Sequence, residues 1–205
     1  MMSDEKYKKT LKQFHKLSDR HILAAETDMS SSDIQKVVKL SDRIRKAGNE
    51  LVGLMRKNYD QLMRTKRYRK LLKLYGSTED KKKRKYLAGQ LNEMQKQYDV
   101  TWDFCRKSMI YIGKKYNVDA VFALTKAEDI WRGMEKCLYG NGNILHFSRY
   151  GDLPCIRAKQ INRGIPISVK DNKLQFKLGR TVFGIKVNDR FQTDEVNAVL
   201  DYLAE

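Results

Sequence analysis

The 205-residue sequence predicts an α+β protein: a long antiparallel helical hairpin or bundle followed by a small antiparallel β-barrel-like region. Three observations predict it. Both prolines, Pro154 and Pro166, lie in the last third, and the rest is rich in Lys, Leu, Met, Gln and Glu, which are good helix formers. Apolar residues recur at steps of three and four as far as residue 139. After YGNGN, residues 139–143, glycine recurs and Ile, Val and Phe dominate in short runs, a strand-like pattern. The chain thus divides into an N-terminal segment 1–29, a helical region 30–139 and a β-rich region 140–205 with a short last helix.

Ser30-Ser31-Ser32-Asp33 supplies hydroxyl and carboxyl acceptors for the first amides of a helix. Its stripe runs through Ile34, Val37, Val38, Ile44, Ala47, Leu51, Leu54, Met55, Tyr59 and Leu62. Gly76 is the expected stop, and Gly48 and Gly53 are where a break is expected if there is one. A second helix is predicted from Ser77 or Thr78, with Glu79 and Asp80 in its first turn, where the helix dipole favours anions. Its seam, Leu87, Leu91, Met94, Tyr98, Trp102, Cys105, Met109, Ile112 and Tyr116, reads as one continuous helix packed antiparallel on the first. Thr125-Lys-Ala-Glu128 has the form of a capping box opening a third helix over 126–139, which Gly140 ends. Strands are predicted at 144–149, 164–170, 173–179 and 181–187, with Asp171-Asn172 as a hairpin turn, and Thr193 caps a short final helix.

The formal net charge is +17, which speaks to partners more than to fold, because a positive field attracts polyanions. The N-terminus has no apolar signal core, and no stretch approaches the roughly 18 apolar residues of a membrane span. Three dispersed cysteines, Cys105, Cys137 and Cys155, fit a reducing compartment and argue against a disulfide framework. A cytoplasmic protein without a membrane partner is expected. His15, His21 and His146 are far apart, and no phosphate-loop or metal-ligand spacing occurs, so no metal, cofactor or catalytic residue is predicted.

The charge is concentrated. In RTKRYRKLLKLY, residues 64–75, a helix gathers Tyr68, Leu71, Leu72 and Tyr75 on one side. Lys66, Arg69, Lys70 and Lys73 fall opposite, with Arg64 and Arg67 near the edges. Such an apolar stripe is foreign to a disordered tail. Lys81, Lys82, Lys83, Arg84 and Lys85 follow across the turn. Together these residues form a candidate surface for a nucleic-acid backbone, since Arg grips phosphate oxygens bidentately and Lys supplies point charge. A solvated basic face is the simpler alternative. A reading of a different class is a helical scaffold that uses the Leu87–Tyr116 seam to oligomerise or to bind an acidic protein.

The segment WRGMEKCLYGNGNILHFSRYGDLPCIRAKQINRGIPISVKDNKLQFKLG resembles the wedge domain of TnpB-like transposon proteins, which are relatives of type V CRISPR effectors. Phe147, Arg149, Tyr150, Gly151, Asp152, Gly164, Ile165, Asp171, Lys173 and Leu174 carry the match. The segment from Asn49 to Gly76 resembles the helical recognition region of the same proteins, so the likeness spans about residues 45–190. The resemblance implies that segment 1–29 joins the wedge region. It also implies a guide-type RNA or DNA as partner, with structured RNA or an RNA–DNA duplex bound through shape and backbone charge. Carried over, it adds Arg149, Lys159 and Arg163 as RNA contacts. The family cleaves with three carboxylates of a RuvC-type domain and usually carries a zinc ribbon. This sequence ends before either begins, so the expectation is a non-catalytic binding fragment, with any nuclease domain on a separate polypeptide.

Overall fold

The computed structural model describes residues 25–140, 142, 144–152, 156–157, 164–170, 173–178 and 181–187. It is α+β and mostly helical. One compact unit comprises the described residues of 29–166 and 177–181, and a second those of 25–28, 167–176 and 182–187.

The first unit opens with α1, Ser31–Arg64, whose N-cap Ser30 accepts a hydrogen bond from the Asp33 amide at 3.2 Å. Its 34 residues extend about 50 Å at 1.5 Å per residue. The helix passes through Gly48 and Gly53 without a break. Gly48 instead leaves room for the Lys126 side chain, since a Cβ there would lie 2.6 Å from Lys126 Cε. The break falls at Thr65, which is extended (φ −72°, ψ 113°). Chain direction resets there, and α2, Lys66–Ser77, begins. Gly76 lies inside the last turn of α2 rather than beyond it.

The predicted continuous second helix is two helices, α3 (Lys81–Gln97) and α4 (Trp102–Lys115). Asp99 adopts a left-handed φ of 56°, and Thr101 caps α4 by accepting from the Phe104 amide at 3.2 Å. An Asp tolerates that conformation, and the β-branched pair Val100-Thr101 favours extended backbone, so the helix stops without a glycine. Asn117, φ 53°, turns the chain again into α5, Ala120–Tyr139. Asp119 caps α5, accepting from the Val121 amide at 2.8 Å. The expected start at Thr125 is therefore wrong: that hydroxyl lies within the helix and donates to the Val121 carbonyl at 3.0 Å. Gly140 ends α5 as expected, its amide donating to Lys136 O at 3.0 Å.

α1, α4 and α5 pack together, while α2 and α3 pack on each other as a hairpin. The core includes Leu51, Met55, Leu62, Tyr68, Leu91, Val100, Cys105, Met109 and Met134, all fully buried. Leu87, Met94 and Ile112 of the predicted seam are buried with them, so the seam is consumed within this chain.

Four strands, β1 (Ala25–Asp28), β2 (Ile167–Lys170), β3 (Lys173–Leu178) and β4 (Thr181–Val187), form one sheet in the order β1-β4-β3-β2. β1 runs antiparallel to β4 with Ala25 opposite Val187, and β2 antiparallel to β3 with Ile167 opposite Phe176. Phe176 and Phe183 stack with ring centroids 4.8 Å apart. The expected barrel is not formed. Among the described residues β1 and β2 are edges, and closure would require them to pair.

The strand predicted at 144–149 is irregular chain, not a strand. Its backbone finds a side chain in place of a partner strand: Ser148 N donates to Asn49 Oδ1 and Asn49 Nδ2 donates to Ser148 O, each at 2.9 Å. The strand predicted from 164 begins only at Ile167; Gly164, with a φ of 87°, departs from extended backbone and forms a single bridge. The Asp171-Asn172 turn and the last helix lie outside the described residues. No helix among the described residues is long and apolar enough to cross a membrane.

Candidate nucleic-acid interface

α2 and α3 both begin with cations. Lys66, Arg67 and Arg69 open α2, Lys81–Arg84 open α3, and neither first turn holds an acid. Glu79 and Asp80, expected inside that turn, precede it. Asp80 is the N-cap and accepts from the amides of Lys82 and Lys83 at 2.8 and 3.3 Å. The remaining charge opposes the helix dipole, which costs about 0.3–1 kcal/mol per exposed cation at low salt. A sequence that breaks a local rule at each of two neighbouring helices marks a candidate functional surface.

The hairpin keeps this arrangement because its apolar side is tied to the bundle. Tyr68 and Leu71 are buried, and Leu72 and Tyr75 pack half-buried on the core. Gln95, buried on α3, donates from Nε2 to the Tyr68 hydroxyl at 3.0 Å and accepts from the Tyr139 hydroxyl at 2.8 Å. Burial pushes the Tyr68 phenol above its usual range. At the break between α1 and α2 the Thr65 hydroxyl donates to Tyr98 Oη at 3.0 Å. Arg84 sits over the Tyr75 ring, 4.8 Å from its centroid, and joins the two helices near the turn.

The basic side chains face water. Arg64, Lys66, Arg67, Arg69, Lys70, Lys73 and Lys81–Lys85 are all exposed. Among the described residues none of them pairs with a carboxylate, whereas Lys36, Arg45, Lys46, Lys96, Arg106, Lys107 and Lys115 all do. An open groove of about 680 Å³ brings Arg67 of α2 together with Lys82, Lys85 and Tyr86 of α3. Tyr86 is 66% exposed, and Glu93, on the same groove, is paired with Lys96. Arg64 stands apart, in a cleft of about 450 Å³ with Arg56, Lys57, Asp60 and Phe147.

Arg149 is exposed and begins a tight turn. Asp152 N donates to Arg149 O at 3.2 Å, and Gly151 holds a φ of 88°. Those are the marks of a type II turn, which needs glycine at its third position. The turn presents Tyr150, 91% exposed, with the Arg45 guanidinium 5.5 Å from its ring centroid. Nothing described brings Arg149 into either groove. Lys159 and Arg163 lie outside the described residues.

Sequence reasoning missed Arg56, Lys57, Tyr86 and the placement of Phe147. Arg56, Lys57, Asp60 and Arg64 do recur at helical steps, a signal that was readable. Phe147 reaches them from far along the chain, with no local signal. No group of His, Cys, Asp and Glu among the described residues could hold a metal ion. Cys105 is core: burial pushes its thiol up to about 12, and Sγ lies 3.6 Å from the Ala127 carbonyl. Comparison with family models, curated proteins and solved structures gives no match.

Proposed function

We propose that this chain is a non-catalytic nucleic-acid-binding protein whose α2–α3 hairpin holds the phosphate backbone of structured RNA or of an RNA–DNA duplex. The observation that carries the reading is the exposed set of cations, unpaired with any carboxylate among the described residues, on two helices that share one groove. Cations at helix N-termini lose the stabilisation an acid would give there and gain it back when a phosphate arrives. The likeness to TnpB-like proteins points the same way and favours a guide-type RNA. The scaffold reading would use the Leu87–Tyr116 seam, of which Leu87, Leu91, Met94, Cys105, Met109 and Ile112 are buried inside this chain.

Binding to RNA hairpins and duplexes should weaken linearly on a log–log plot against salt, since phosphate contacts release counterions. Replacing Arg67, Lys82 and Lys85 together by Gln should weaken binding of every sequence alike and make the slope shallower by about 2–3. Affinity that is flat between low and moderate salt overturns the proposal.

A further inference from the structure

The cleft on α1 sits apart from the groove between α2 and α3, and its make-up is different. Its cations, Arg56, Lys57 and Arg64, are unpaired with any carboxylate among the described residues, and Asp60 is the one acid that lines it. Its wall is Phe147, an aromatic ring left 48% exposed. The Arg56 guanidinium lies over that ring, 5.1 Å from the centroid. Gly53 lines the cleft beside the ring, and a Cβ there would make only ordinary contact, 3.9 Å from Phe147 Cε1.

The ring is held in place from both sides. Leu145, two residues before it, is buried, and the backbone of Ser148, one residue after it, is clasped by Asn49 in two hydrogen bonds. An aromatic ring on an anchored backbone, half exposed, offers a flat apolar surface beyond the guanidinium that covers part of it. Beside it stand three cations. Aromatic face and cations together are what a single-stranded nucleic acid requires, because any base has a π-face to stack and a phosphate to hold. The interior of a duplex cannot use the ring, since its bases are already stacked on one another.

We propose that this cleft binds an unpaired nucleotide, its base stacked on Phe147 and its phosphates held by Arg56, Lys57 and Arg64. The proposal rests on the reading that the chain binds nucleic acid, and it adds a preference for a strand end, bulge or loop.

The test compares a ten-nucleotide oligouridine with a blunt RNA duplex of the same length, by fluorescence anisotropy. Phe147→Leu keeps apolar volume and removes the aromatic face. It should weaken oligouridine binding about 5- to 150-fold, equivalent to the ~1–3 kcal/mol of one stacked base, and leave duplex binding unchanged. Phe147→Trp should bind as wild type, with its fluorescence quenched by oligouridine and not by the duplex. Unchanged oligouridine affinity in Phe147→Leu, or equal losses on both ligands, overturns the cleft proposal while salt-sensitive duplex binding leaves the hairpin reading standing. If the native chain binds neither ligand, both fall.

Discussion

Replacing Gln95 by Met tests whether the basic hairpin is held by a buried polar link rather than by apolar packing alone. The side chain is 4% exposed and bridges Tyr68 on α2 to Tyr139 on α5. Methionine fills nearly the same volume, so no cavity term enters. The two hydroxyls fare differently. Tyr139 is 54% exposed and keeps Asn92 Oδ1 at 3.5 Å, so water replaces the lost acceptor at little cost. Tyr68 is 0% exposed and has no other partner among the described residues, so its hydroxyl is orphaned. Leaving one buried polar group unsatisfied costs about 1–3 kcal/mol. In a chain of this size about 2 kcal/mol lowers the Tm by roughly 4–8 °C. Tyr68→Phe alone should cost about 1 kcal/mol, and adding it to Gln95→Met should recover most of the loss, because both partners are then apolar. Urea unfolding of the four proteins closes the double-mutant cycle. Strict additivity, with a coupling below about 0.3 kcal/mol, would refute the argument.

Two glycine substitutions should act in opposite directions. Gly89 is exposed in the middle of α3 with nothing within 4 Å of an added Cβ, so Gly89→Ala should raise stability by about 0.5–1 kcal/mol. Gly133→Ala should lower it, since the new Cβ would lie 2.8 Å from Cδ2 of buried Leu145. Overpacking of about 1–3 kcal/mol then exceeds the helix-propensity gain, and urea midpoints would report both signs. The Glu50 carboxylate accepts from Lys115 Nζ and the Tyr116 hydroxyl, each at 2.8 Å, and both lower its pKa. Its stabilisation is present above the ordinary value of 4.5 and is lost as pH falls through the lower folded value. The site is largely exposed, so the effect is small. Glu50→Gln should therefore be slightly less stable at pH 7, show a flatter acid limb in urea titrations, and meet the wild type once pH lies below both values.

Local chemistry wrote much of this protein into its sequence. The Ser30 cap, the Gly140 stop, the Thr181–Val187 strand and the burial of Tyr68 and Leu71 beneath a basic face all follow from residue type and period. The basic face was legible for the same reason, since a helix sorts Lys66, Arg69, Lys70 and Lys73 away from its apolar stripe. Breaks were harder to read. Thr65, Asp99 and Asn117 each stop or turn a helix where no glycine or proline announces it, and Gly48, a nominal breaker, lies mid-helix with the Lys126 side chain of α5 against it.

Composition and period alone determined that the chain is helical and then stranded, and where its charge lies. Only the tertiary structure decided which cations share a groove, that the Leu87–Ile112 seam turns inward, and that residues 144–149 lie on α1 instead of in a sheet. The reason is physical. A helix or turn is specified by neighbours a few positions apart. Gln95 with Tyr68 and Tyr139, Asn49 with Ser148, and Phe147 with Arg56 are partners far apart along the chain, and nothing local records the pairing.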